Sequence, residues 1–246
     1  MYHLLWKKRN FVKVWVVVLY FLCAFIPSKA QFRELNLPNH DDKRYHIGII
    51  VMGAASRFQV SQHPRFLESD SVLVSSPENV SGVGIGGMHT FKLNHRFSAR
   101  IVFPQLLFVN KSIRYNLTYP ISGESREMTK NIESILFGVP IQLKFHSDRI
   151  GNFRVYMMGG VKFEYDLSSK AAARNADDLI KLRSTDFGVE AGIGFNFYMP
   201  FFILSPELKI SNGISNSHSR DINLKFSNVI DRLNSRMIVF SLIFEG

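Results

Sequence analysis

The sequence predicts an all-β fold: an eight-stranded antiparallel β-barrel of the up-and-down, or meander, type that spans an outer membrane. Three observations support it. Eight segments rich in Val, Ile, Phe, Tyr and Gly follow one another along the chain, short and long connections alternate between them, and their charged residues share one face. Because the number of strands is even, both chain ends fall on the same side of the membrane, which we expect to be the periplasmic side.

The strands are predicted from alternation of apolar and polar residues, because successive side chains of a strand point to opposite faces. In the fourth segment, for example, Ile141, Leu143 and Phe145 share one face, and Gln142 and Lys144 share the other. The same pattern places the eight strands near 45–58, 82–93, 96–109, 132–146, 153–166, 186–199, 201–213 and 235–244.

The connections between the predicted strands alternate strictly between short and long. Strands two and three, four and five, and six and seven are separated by a few residues only. Outer-membrane barrels have short periplasmic turns and longer external loops, whereas a soluble β-sandwich has no reason to sort its connections in this way. We therefore assign residues 45–246 to the barrel, with long external loops near 59–81, 110–131, 167–185 and 214–234.

Charged residues within the strands project to one face, which we predict to line the barrel interior. A basic residue that faces lipid at mid-membrane costs about 2–4 kcal/mol. An eight-stranded barrel is also just wide enough to be filled by its own side chains. The expected result is a lumen ion-pair network formed by Arg100, Lys144, Arg154, Lys162, Glu164, Glu190, Glu207 and Lys209.

Two further features concern the barrel ends. Aromatic residues near strand ends are typical of the girdles at membrane interfaces. Two of the long loops contain helix-forming residues, at 171–183 and 228–234, and we expect a helix in the first and a helical turn in the second. The girdle residues predicted in this way are Tyr45, Tyr156, Tyr165, Tyr198 and Phe244.

Residues 1–30 have the features of a signal peptide. Basic residues precede a mostly apolar run at 14–26, and Ser28 and Ala30 provide small residues for cleavage. The apolar run is shorter than the ~20 residues of an ordinary spanning helix; an uncleaved anchor is the alternative. Removal of the segment takes away five basic residues and the only cysteine, so the net charge falls from +10 to +5. That charge is too mild to indicate nucleic-acid binding.

Residues 31–44 precede the barrel and are predicted to form a polar periplasmic segment. Within it, Pro38, Asp41, Asp42 and Lys43 are a possible contact for partner proteins. An ordinary untethered terminus is the alternative, because chain ends are often poorly ordered.

No catalytic, cofactor or metal site is predicted. The inward Glu164, Glu190 and Glu207 are accompanied by basic residues, which favours ion pairs over acid–base chemistry. The eight histidines form no His-x-His or His-x-x-x-His pair, so no metal centre is expected. A Ser-His-acid lipid hydrolase is the main enzyme alternative, but the predicted lipid faces are almost purely hydrocarbon. We expect a non-enzymatic protein that contacts outer-membrane lipid, with no small-molecule substrate.

Several segments resemble the PorT/SprT family of outer-membrane proteins. The start of the mature chain, Asn36–Gly48, is similar to the family's start, and so in order are the other segments, from about residue 34 to the end. The most specific are the Leu-Pro-x-x-Asp-Asp-Lys start at 37–43 and the Ser-Pro-Glu-Leu-Lys segment at 205–209. The remaining matches are 137–144, 152–160, 186–200 and 233–236.

This resemblance implies a barrel needed by the type IX secretion system, which exports large proteins with C-terminal signals, including proteases and gliding adhesins. It also implies that other secretion-system proteins are partners. It implies no catalytic residues. The alternative is a free-standing barrel, similar to OmpX-type adhesins, that binds ligands through its surface loops.

Overall fold

Nine strands account for most of the structure, a computed structural model that describes residues 34–63, 72–117, 125–168, 182–219 and 230–246. The predicted signal peptide and most of the expected helix at 171–183 lie outside these residues. The strands are β1 (Tyr45–Gln62), β2 (Val72–Glu78), β3 (Val80–Lys92), β4 (Phe97–Leu117), β5 (Glu127–His146), β6 (Phe153–Asp166), β7 (Thr185–Tyr198), β8 (Ile203–Gly213) and β9 (Ile230–Glu245).

Eight of these strands close into an antiparallel barrel. Each ring strand pairs with its neighbour in the order β4-β3-β1-β9-β8-β7-β6-β5, and β5 pairs back to β4. The seam joins the first and last strands, with Ile50 opposite Ile243. Strand β2 pairs with β4. After Asn79 the chain continues as β3, which pairs with the next part of β4. The predicted all-β meander with eight strands in the ring is therefore confirmed.

The two faces of the wall differ as alternation predicts. Ile141, Leu143 and Phe145 are 42–51% exposed on the outer surface, whereas Gln142 and Lys144 between them are 1–2% exposed in the interior. The outer surface is therefore an apolar belt suited to lipid. Closure leaves no strand edge of the ring unpaired, as a lipid environment requires. Within the described ranges, the structure contains no helix whose length and hydropathy would suit a membrane span.

The short connections, at 93–96, 147–152 and 199–202, lie at one end of the barrel, which we call the turn end. At the opposite end, the loop end, the strands extend into all four stretches predicted as loops, although into 167–185 only by Thr185, and β2 lies within 59–81. For example, β4 runs to Leu117 and β5 begins at Glu127. The prediction stopped too early because the outward residues become polar there, although the strands themselves continue. The helical turn expected at 228–234 is wrong for 230–234, which belong to β9.

The aromatic girdle is confirmed only in part. Tyr45, Tyr165 and Phe244 point outward, but Tyr156 and Tyr198 are 1% and 2% exposed and point into the lumen. Both tyrosines share the strand parity of the polar residues, so nearness to a strand end was a poorer guide than alternation.

Two apolar clusters complete the interior. One lies against the inner wall of β1, β3, β4, β5 and β9, around Ile50, Val102 and Val239. The other, which we call the loop-end core, fills the interior where the strands project furthest. It consists of Phe58, Ile113, Tyr115, Leu182, Ile230 and Leu233.

Candidate functional site

A charged cluster crosses the barrel interior between β4 and β8, which are four strands apart in either direction around the ring. Arg100 on β4 donates a hydrogen bond of 2.7 Å from Nη1 to Oε2 of Glu207 on β8, and both side chains are fully buried. The Tyr156 hydroxyl donates to the same oxygen at 2.8 Å. The Lys144 ammonium lies 4.0 Å from the centre of the Tyr156 ring, a cation–π distance.

Tyr156 fits at this level because the facing strand carries glycine. A Cβ added at Gly194 on β7 would overlap the Tyr156 ring. Gly194 is the cross-strand partner of Tyr156. Because glycine has no side chain, the large Tyr156 ring can occupy the space beside it. Strand glycines are common where another group approaches closely.

Two further ion pairs lie in the lumen. Glu190 accepts hydrogen bonds from Lys209 at 3.2 Å and from the Gln142 amide at 2.8 Å. Lys162 donates to Glu164 at 2.7 Å, and their i,i+2 spacing on β6 keeps them on the same face. All these side chains are buried, so each charge depends on its partner rather than on water.

The structure places all eight residues of the predicted network on the interior side and joins six of them as three pairs. Lys144 contacts an aromatic ring, and Arg154 binds a residue from outside the strands. Sequence reasoning missed Tyr156 because it was assigned to the girdle. It also missed Lys111, which lies over the Phe58 ring at 4.9 Å, because it was assigned to a loop.

The turn end is covered by residues 35–44, which we call the N-terminal cap and which contain a short 3-10 turn, His40–Asp42. Asp41 accepts hydrogen bonds of 2.9 and 3.1 Å from the Arg154 guanidinium, and another of 3.0 Å from the Tyr198 hydroxyl. Arg149 stacks over the Tyr198 ring at 3.6 Å and binds the Asn36 carbonyl. The alternative of an untethered terminus is therefore wrong for the cap.

Charge pairing also controls the ionisation of the cap. Burial opposes the charged form of Asp41, but the Arg154 guanidinium and the Tyr198 hydroxyl outweigh it and hold the pKa of Asp41 below its ordinary value. The Asp41 carboxylate is thus already bound by Arg154 and Tyr198 of the same chain, so it does not suit a contact with a partner protein. Pro38, Asp42 and Lys43, the other residues predicted for that role, are exposed.

Two histidines and a glutamate meet beneath the cap. The rings of His40 and His46 stack with their centroids 4.1 Å apart. Burial, together with the nearby His46, lowers the pKa of His40 to about 4. Glu245, the last residue of β9, completes the group. Sequence reasoning missed this cluster because its residues come from the cap and from both strands of the seam.

Comparisons with known proteins agree with the fold. Residues 38–219 match the model of a family described as "Outer membrane protein beta-barrel domain". No curated protein matches significantly.

Several solved barrels are structurally similar to this chain at low sequence identity. OprG of Pseudomonas aeruginosa is 10% identical, with 82% of this chain and 97% of that chain covered and a TM-score of 0.44. Ail of Yersinia pestis, solved with the heparin analogue sucrose octasulfate, is 11% identical, with 83% and 100% covered and a TM-score of 0.36. Neisserial surface protein A is 11% identical, with 80% and 96% covered and a TM-score of 0.35.

Proposed function

This chain belongs to the outer membrane protein β-barrel domain family, and from that premise we propose that it serves the type IX protein secretion system in a Gram-negative outer membrane. Its proposed role is that of a component or accessory, required for export of large cargo with C-terminal signals, such as proteases and gliding adhesins. The proposed role is non-catalytic. Both termini are proposed to lie in the periplasm.

The observation that carries this proposal is the ordered resemblance to the PorT/SprT family, considered together with where its two most specific segments lie. The first, at 37–43, forms most of the N-terminal cap and supplies Asp41. The second, at 205–209, supplies Glu207 and Lys209 to the lumen. Both segments therefore hold paired charges, which gives their residue types a physical reason beyond membrane insertion.

The filled interior supports an accessory role rather than a conduit. Arg100, Tyr156, Lys144 and Lys209 are among the largest fully buried side chains and occupy the lumen. An eight-stranded barrel leaves no aqueous channel when side chains fill it. Cargo is therefore expected to pass elsewhere, and this barrel to act through its surfaces.

The exposed face of the cap is the proposed contact for other secretion-system proteins. Pro38, Asp42 and Lys43 are exposed on a segment that is itself held against the barrel. A tethered segment loses less conformational freedom on binding than a free tail does, so binding there costs less.

The test is a clean deletion in the source bacterium, followed by proteomes of culture fluid, periplasm and outer membrane. We expect cargo with C-terminal signals to vanish from the fluid and accumulate in the periplasm while other barrels persist. Complementation with Asp42→Ala plus Lys43→Ala should restore less secretion than Arg114→Ala, a loop-end control. Unchanged secretion in the deletion strain contradicts the proposal.

One observation favours a second candidate, a free-standing barrel that binds ligands at its loop end. Strands β4 and β5 have 21 and 20 residues, and β2 adds a further pairing to β4. Crossing a membrane takes only about 9–11 residues per strand, so this wall projects well beyond the bilayer. If the deletion leaves secretion intact but reduces adhesion of whole cells to host or surface ligands, this candidate replaces the first.

A further inference from the structure

We propose that His40, His46 and Glu245 form a binding site for a divalent transition metal, best matched by zinc, at the turn end of the barrel. One possible ligand atom from each residue lies within 4.8 Å of the other two. All three residues are 5–7% exposed. Two imidazoles and one carboxylate form a ligand set that suits zinc and leaves a fourth position for water.

The barrel seam brings two of the ligands together. Glu245 on β9 pairs with Gly48 on β1, and His46 is two residues before Gly48 on the same inward face. The two side chains are therefore diagonal neighbours, a spacing that long side chains can span. The cap then folds back over the mouth and lays His40 on His46.

Unpartnered buried nitrogens point independently to a ligand. Nε2 of His40 and Nδ1 of His46 are buried and have no hydrogen-bond partner within the described part of the chain. Buried polar atoms are nearly always paired, so each such atom calls for an explanation.

The space is adequate for a metal ion and a bound water. A cavity of about 50 Å³ is lined by all three residues, along with Tyr198 and Lys144, whereas a water molecule needs ~10–15 Å³. Zinc–ligand bonds of ~2.0–2.1 Å place tetrahedral ligand atoms roughly 3.4 Å apart. The side chains must therefore rotate to bring their ligand atoms closer together, and this rotation would separate the stacked rings of His40 and His46.

Glu245 supplies the negative charge that a cation needs. Among the described residues, its carboxylate makes no ion pair within 4.0 Å, and Asp41 is already held by Arg154. Lys144 lines the same cavity. The carboxylate must therefore offset a nearby positive charge, and its removal should weaken binding at least as much as removal of one histidine.

Metal bound here would join the cap to the first and last strands of the ring. The site has one ligand in the cap, one in β1 and one in β9, so a single ion would connect the chain terminus to the seam. Such a link stabilises the closed barrel by a free energy that grows with the logarithm of the metal affinity. This inference is independent of the secretion proposal, because it rests on contacts within this chain alone.

The test uses the untagged mature chain, refolded in detergent micelles. Zinc is titrated calorimetrically, and cobalt is substituted to record the visible absorption of a low-coordinate centre. We expect one ion per chain and a cobalt spectrum typical of nitrogen and oxygen ligands. His40→Ala and Glu245→Gln should each weaken zinc binding by more than about 100-fold, beyond the 10–100-fold typical of losing an outer-shell partner.

His89→Ala is the matched control, because His89 is also near the turn end but lies outside the lining of the cavity, where its ring hydrogen-bonds the Tyr45 hydroxyl; this variant should bind zinc like the wild type. Heat-modifiable gel mobility verifies that each variant is folded. Glu245→Gln keeps the size of the side chain. If His40→Ala fails to fold, zinc binding by Glu245→Gln is the measurement that tests the proposal. The proposal is overturned if the wild type binds no stoichiometric zinc, or if binding persists in Glu245→Gln.

Discussion

The lumen network and the loop-end core fill two levels of the same barrel with opposite chemistry. Strand β1 shows the change along its own length. Near the turn end its outward residues are apolar, as at Ile47 and Ile49, and its inward residue His46 is polar. Further along the strand, Ile50 and Met52 face inward and belong to the first apolar cluster. Near the loop end its outward residues are polar, as at Gln59, and its inward residue Phe58 is apolar.

The difference teaches that the surroundings of the wall decide what its interior requires. Where lipid covers the outer face, apolar residues are satisfied there and the interior is free to hold paired charges. Where the wall projects beyond the membrane, water faces the outer side. The interior must then bury apolar surface as a soluble protein does. The following predictions test this contrast, from the largest expected effect to the smallest.

Glu207→Gln should have the largest effect. It leaves the buried Arg100 guanidinium without a carboxylate, and breaking a buried pair in this way costs about 3–5 kcal/mol of unfolding free energy. Urea unfolding of the barrel in lipid vesicles, followed by heat-modifiable gel mobility, measures the loss.

Two variants serve as controls for this prediction. Arg114→Ala breaks the exposed pair with Glu78 and should cost less than about 1 kcal/mol. Adding Arg100→Met to Glu207→Gln removes the stranded charge and should restore most of the stability. Equal losses in Glu207→Gln and Arg114→Ala would show that the lumen pair is solvated and would remove the contrast.

Leu233→Ala should come next, with a loss of about 2–5 kcal/mol, because it opens a cavity in the loop-end core. The control is Ile238→Ala on the same strand, whose side chain is half exposed on the lipid face, where lipid can fill the space. The same urea unfolding assay compares the two. A loss in Ile238→Ala as large as that in Leu233→Ala contradicts a water-driven core at the loop end.

Asp41→Asn should have the smallest effect, a local loss of about 1.5–3 kcal/mol from weakened charged hydrogen bonds. We expect the cap to open while the ring stays closed. Hydrogen exchange should therefore accelerate at residues 40–43 and remain slow in β1 and β9. Asp42→Asn, an exposed neighbour, is the control, and equal exchange in the two variants would show that Asp41 does not hold the cap.

Much of the architecture follows from local pattern. Alternation has a period of two residues and is readable without tertiary information, so the ring of eight strands and the inward side of Arg100 and Glu207 were predictable. The strand ends at Leu117 and Glu127 were not, because the rule used apolar outward residues as its signal. That signal disappears where the wall leaves the membrane, although the strand continues.

The sequence by itself determined the number of strands in the ring, the alternation of connections and the face on which each charge of the predicted network lies. Only the tertiary structure decided that Arg100 meets Glu207, that Asp41 meets Arg154, and that His40, His46 and Glu245 share one site. The physical reason is barrel closure. Which side chains face each other across a closed ring depends on the register of all its strands and on the seam between the first and the last, and no local window of sequence contains that information.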